Sequence, residues 1–344
     1  MLAALLLLAP CPQAVTEQTT PTERPRVQMP YEIPIGEPLI FDRVWTRRRV
    51  DGGVVEDDAL HRSRVTLEVK GLDEAGNRLL DWSAVPGTWE RLASGGNPVD
   101  RATDQGIAEL RTDVEYVVRV SPKFRTILLE DPTAVAREAE LALTRANARI
   151  DATGSFIAQR DRAKAIVQAE LASPELIEHT FLREPLILLD PLGRDYRFGR
   201  DRRWQDFFIN PIGSAPLAAM SWIEPIAFDS ERGELLVRTV RALDRSATRS
   251  ALERDLDSWL KRNKVPSREV EPDQDFAVRE ETRALLDIAT GLPLYAEHRS
   301  WVRILDDERV ESVAFVALGF EPGEELTGTW SEPEDAADPF AEQR

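Results

Sequence analysis

The residues able to do chemistry are few and scattered. Three histidines, His61, His179 and His298, stand far apart and make no H-E-x-x-H or other metal-ligand spacing. No G-x-S-x-G elbow presents a serine nucleophile, and Gly213-Ser214-Ala215-Pro216 lacks the glycine frame such an elbow needs. Gly52-Gly53 and Gly95-Gly96 read as turns, because neither opens a helix after a strand to cradle a phosphate. Carboxylates are abundant, among them Glu224, Glu280-Glu281 and Asp306-Asp307. Glycoside hydrolysis needs two of them opposed across a cleft, and abundance in an acidic chain does not supply that. Cys11 is the only cysteine, so no cysteine-based metal centre can be built. The residues call for neither metal nor cofactor, and they dictate no reaction.

Two basic stretches remain. Residues 191–213 interleave Tyr196, Phe198, Trp204, Phe207 and Phe208 with Arg194, Arg197, Arg200, Arg202 and Arg203. Such a mixture can stack on rings or grip an anionic headgroup, but Asp195, Asp201 and Asp206 dilute it. A long surface loop with its rings packed on a sheet is the simpler expectation. Arg47-Arg48-Arg49 reads as one solvated strand end, with binding to anionic lipid the minor alternative.

With 344 residues, 42% of them apolar, the chain holds enough material for a real core. A formal charge of −17 argues against nucleic acid as a partner, since phosphate neutralisation needs a basic surface. The opening run MLAALLLLA, Met1 to Ala9, is too short to cross about 30 Å of hydrocarbon. It suits the apolar core of a secretory signal, with Ala14 at a candidate cleavage point, and predicts a periplasmic or secreted protein of bacterial type. Cys11, behind Leu8-Ala9-Pro10, makes an imperfect lipoprotein box. If it leaves with the leader, the mature chain holds no thiol and tolerates an oxidising compartment. No later segment is long and uncharged enough for a transmembrane helix.

The expected organisation is a signal peptide at 1–14, a Pro-rich linker at 15–35, one domain at 36–320, and an acidic disordered tail at 321–344. Period-two alternation marks strands at 65–70, 80–84, 114–120 and 125–130. Asp131-Pro132 and Ser173-Pro174 then open helices, giving a helical insert near 131–182. Strands return at 217–227 and 234–243, a helix follows at 247–262, and three long strands close the chain near 276–288, 293–305 and 309–319. Strands and helices in segregated runs predict an α+β fold. Its expected form is a curved antiparallel sheet, an incomplete β-barrel, covered by the inserted helices.

The last strands carry the sharpest expectation. One face of 293–305 presents Leu294, Ala296, His298, Ser300, Val302 and Ile304, and the matching inner set on 309–319 is taken as Val310, Ser312, Ala314, Val316 and Leu318. Small and polar residues at half of these positions leave room that a helix or a bound molecule must fill. The 247–262 helix, through Leu252 and Trp259, is the ready filling. An apolar cavity is the alternative, and the two can coexist.

In this outline the chain resembles the periplasmic lipoprotein-carrier and lipid-binding superfamily (LolA/LolB-like, with the mycobacterial LppX-like proteins). The resemblance rests on the export signal, the cysteine-free mature chain, the incomplete antiparallel barrel with a helical plug, and the strand–turn–strand LLDIATGLPLYAEHRSWVRILDDERVESVAFVAL, Leu285 to Leu318. It carries over no functional residue. It implies a lipid acyl chain, or another hydrophobic small molecule, bound without catalysis between sheet and helices. The expected lining is Leu294, Ala296, His298, Val302, Ser312, Ala314 and Val316, with Trp204 and Phe208 near the mouth. A structural or interaction protein with an envelope partner and a carboxylate-dependent glycan hydrolase are the alternatives.

Overall fold

A computed structural model describes residues 26–29, 33–93, 97–112, 114–213, 215–263 and 271–323. The apolar leader, Cys11, Gly95-Gly96 and the acidic tail beyond residue 323 lie outside the described residues. In chain order the elements begin with β1 (Arg26–Gln28), β2 (Leu39–Asp51), β3 (Val54–Leu72), β4 (Arg78–Ala93), α1 (Pro98–Thr112), β5 (Tyr116–Val120) and β6 (Ile127–Leu129). Next come α2 (Pro132–Ala152), α3 (Ile157–Ala169), α4 (Pro174–Leu189), β7 (Asp195–Arg197), β8 (Arg202–Phe208), β9 (Leu217–Asp229) and β10 (Glu234–Leu243). The last are α5 (Arg245–Asn263), α6 (Pro272–Asp275), β11 (Phe276–Asp287), β12 (Pro293–Ile304) and β13 (Asp307–Ala317).

Eleven strands form one antiparallel sheet in the order β6-β5-β4-β3-β2-β13-β12-β11-β10-β9-β8, while β1 and β7 pair separately. Two meanders, β2 to β6 and β8 to β13, therefore meet where β13 pairs with β2. The sheet ends in free edges at β6 and β8, so the fold is α+β with an open sheet and not a closed barrel. One face packs against the helices, and the other is polar apart from a smaller apolar cluster around Leu285 and Tyr295. On the packed face Phe41, Val65, Leu67, Val69, Leu80, Trp82, Val118, Ala296, Val313 and Phe315 join one core with the buried residues of α4, Phe181, Leu188 and Leu189 among them.

Local chemistry sets the helices. Asp131 caps α2 by accepting from the Thr133 and Ala134 amides at 3.0 and 2.9 Å, and Ser173 caps α4 through the Leu176 amide at 3.3 Å. The helical insert expected near 131–182 runs from Pro132 to Leu189, and a further helix, α1, precedes it beyond β5 and β6. Pro185, a residue that ordinarily stops a helix, sits inside α4, and the buried Ile187, Leu188 and Leu189 carry the helix past it. Alanine-rich α2 packs chiefly on α1, α3 and α4. Its contact with α1 is close: a Cβ added at Gly106 would lie 2.8 Å from the Ala146 Cβ. Gly106→Val is therefore expected to cost about 2 kcal/mol through overpacking, read as a lower urea midpoint.

The stretch expected to be an unpacked linker is docked where it is described. Val27 and Met29 are buried, and the Met29 amide donates to the Arg194 carbonyl at 3.2 Å. Residues 191–213, expected as a loop, hold β7 and the edge strand β8. No helix among the described residues is long and apolar enough to cross a membrane.

Candidate functional site

A cleft of about 1090 Å³ opens on the packed face. Helices α1 and α3 form one wall, Trp259 of α5 stands on the other side, and β12, β13 and β2 supply the floor. Its apolar lining includes Val99, Ile107, Ala163, Ile166, Trp259, Val302 and Ile304. The remainder is charged, because the β2–β13 ladder pairs Arg47 with Glu311 and Arg49 with Arg309, placing all four on the inner face. Each arginine is met by carboxylate: Arg47 by Asp104, Arg49 by Asp307 at 2.9 Å and Asp100 at 3.7 Å, and Arg309 by Asp307 at 2.9 Å. The run 47–49 is thus not simply a solvated strand end; Arg47 and Arg49 form the cleft floor, and Arg48 alone points to the exposed side. Leu305, with φ of 58°, makes the β12–β13 turn at the rim and packs toward the α5 cluster.

Glu311 links the cleft to a polar cluster beneath α4. It accepts from the Trp45 indole at 3.0 Å and from Arg183 at 2.9 Å, with Arg111 at 3.7 Å. Burial acts to raise its carboxyl, but the Arg183 and Arg111 charges and the Trp45 hydrogen bond outweigh it and hold the group at about 2. Asp307 is likewise pushed up by burial and pulled further down by the Arg49 hydrogen bond and the Arg309 charge. These two cleft carboxyls are moved away from the raised pKa that a general acid needs.

Farther along the sheet, Arg241 bridges Asp206 and Glu280 at 3.0 Å each, and Ser221 donates to Asp206 at 2.7 Å. His298 is buried in the same region, its Nδ1 2.9 Å from the Thr282 hydroxyl. Its Nε2 is buried without a hydrogen-bond partner. A hydroxyl beside an imidazole has the outline of a nucleophile and base, but among the described residues no third group orients the ring. Burial lowers the His298 pKa to about 4, keeping the ring neutral. Among the described residues no group of three or more His, Cys, Asp or Glu could hold a metal ion.

The residues expected to line a cavity are dispersed. Val302 lines the cleft. Ala296 and His298 face the same side but are buried, Ala296 within the main core. Ser312, Ala314 and Val316 lie on the opposite face: the ladder sets Ala296 against Phe315 and His298 against Val313, so the inner residues of β13 are Glu311, Val313 and Phe315. Leu294 sits at a register shift near the start of β12 and packs with Ala314 and Val316 around Leu285 and Tyr295. Trp204 packs on the main core, and Phe208 is buried against α5 residues Leu252 and Leu256. Helix α5 does fill the hollow above the ends of β8, β9, β11 and β12. The space left open lies nearer β2, whose inner face is marked in the sequence only by the alternation of Arg47 and Arg49 about Arg48.

Fold and site together define an open antiparallel sheet with helices on one face and a charged, partly apolar cleft between them. No family model and no curated protein matches the chain. Nine solved chains match, among them lipovitellin, in a structure describing its lipid–protein interactions. It is 8% identical, with a TM-score of 0.37, over 88% of this chain and 26% of that one. The chain thus spans about a quarter of lipovitellin's length, and a likeness at this level carries no inference about ligand.

Proposed function

We propose that the protein binds an amphiphile, a lipid or a similar hydrophobic molecule with a polar end, in the inner-face cleft and without catalysis. The cleft itself supports this most. Its volume of about 1090 Å³ matches the upper end of small-molecule sites, roughly 300–1,000 Å³. Acyl methylenes against Ile107, Ile166, Trp259, Val302 and Ile304 would each contribute about 0.8 kcal/mol, and a polar head would lie against the arginine–carboxylate ladder of β2 and β13. Export to the envelope and kinship with the periplasmic lipoprotein carriers belong to the same proposal. They are supported by the leader Met1 to Ala9 and by helices covering one face of an open antiparallel sheet.

Native mass spectrometry of gently purified protein should show a bound molecule, and a fluorescent fatty-acid probe should compete with it. Val302→Trp, which fills the cleft from its floor, is expected to weaken probe binding at least about tenfold, the loss of roughly two buried methylenes, with the unfolding midpoint unchanged. Protein that carries nothing and takes up no probe would reject the proposal.

A further inference from the structure

We infer that the corner between α2 and α3 docks the protein on an anionic lipid bilayer, with Phe156 and Ile157 entering the surface. These adjacent residues are 82% and 68% exposed, the most open apolar pair on the described chain. Gly154, at φ of 69°, turns the chain just before them. Phe156 also occupies the N-cap of α3 and makes no side-chain cap bond there, although this position favours Ser, Thr, Asp or Asn. A bulky ring that neither packs nor caps breaks local rules without local gain, which marks a functional position.

The charge around this tip fits the proposed surface. Residues 145–164 carry Arg145, Arg149, Arg160, Arg162 and Lys164 against Asp151 and Asp161, in a chain whose formal charge is −17. Asp151 holds both Arg160, at 3.2 Å, and Lys164, at 2.6 Å, and Glu109 holds Arg149 at 2.8 Å; Arg162, which also lines the mouth of the large cleft, has no ion pair among the described residues. Lys164 stands seven residues beyond Ile157, about 10 Å along the helix. With the apolar pair at the headgroup–acyl boundary, these cations reach the phosphate level. A convex two-residue tip suits a deformable bilayer; a protein partner would have to supply a matching apolar pocket. Gln159 lines both the hollow beside the tip and the large cleft, so docking would bring the cleft mouth to the lipid surface.

The full chain is tested by flotation with vesicles of phosphatidylcholine alone and of phosphatidylcholine mixed with phosphatidylglycerol. It should float with the anionic vesicles, less so at high salt, and F156S/I157S should partition at least about tenfold more weakly. Both side chains are exposed, so the thermal unfolding curve of the variant should overlay that of the parent and a fold defect is separable. No flotation, or equal flotation of parent and variant, overturns the proposal. Loss of a stoichiometric protein complex in the variant, without flotation of the parent, replaces the bilayer by a protein partner. Docking does not depend on the ligand of the cleft: protein that floats but carries no molecule keeps the docking and rejects the cleft proposal.

Discussion

Arg43→Met is expected to destabilise the protein by about 3–5 kcal/mol, because it leaves the Glu184 carboxylate buried and unpaired. Arg43 projects inward from the centre of β2, and its side chain is 1% exposed; that of Glu184, on α4, is 5% exposed. The guanidinium also reaches Ser63 at 3.2 Å and His61 at 3.3 Å. The pair therefore ties the most buried helix to the seam of the sheet. Replacing both partners, Arg43→Met with Glu184→Leu, should recover most of the loss, since two apolar groups of similar size no longer strand a charge. Urea unfolding of the three variants measures this. A single Arg43→Met variant unfolding at the parent's midpoint would show that the pair does not hold α4 in place.

Acidification is the second large effect. Burial lowers His298 to about 4, while an unfolded histidine titrates near 6.5. Between those values the unfolded chain takes up a proton that the folded chain refuses, so stability falls with pH. The loss from His298 between pH 7 and pH 4 is about 3 kcal/mol. His179 is lowered as well, by burial first and then by the Arg183 and Arg111 charges, and acts in the same direction. Glu311, held at about 2, has the other sign of shift for its class. Its stabilisation is complete above about 4.5 and disappears only as the pH falls from there toward 2. Stability measured by denaturant at pH 7, 5 and 4 should show the early loss, and His298→Gln should flatten it. An equal slope in parent and variant would place the acid sensitivity elsewhere.

Much of the fold is legible in the residues. β10 lies where alternation places it, and the Asp131-Pro132 and Ser173-Pro174 starts of α2 and α4 are written in their caps. Helix α1 is not: beside Val99 and Leu110, its buried side holds Thr103 and Gly106, residues of low helix propensity that suit close approach to α2. β2 is hidden by its arginine run, in which Arg47 and Arg49 find their partners on α1 and at the far end of the sequence. The face of β13 is the most instructive failure. The tight turn pairs Ile304 with Asp307, and that pairing fixes which residues point inward; displacing the phase by one residue turns every side chain over. The opposite phase fits the apolar pattern better because the actual one turns Glu311 inward, a half-buried charge held by Trp45, Arg183 and Arg111. A site whose floor is an ion-pair ladder between distant strands leaves no local apolar signature.

That ladder also dictates how the molecule is assembled. Trp45 lies opposite Val313 and Arg47 opposite Glu311, so the middle of the sheet joins segments more than two hundred residues apart. During synthesis, β2 must wait with one side unpaired until β13 arrives. Such long-range closure is slow and leaves an adhesive edge. The nascent chain consequently has no complete cleft floor until β13 is in place, and a truncation within β13 would remove that floor and expose the very edge on which aggregation begins.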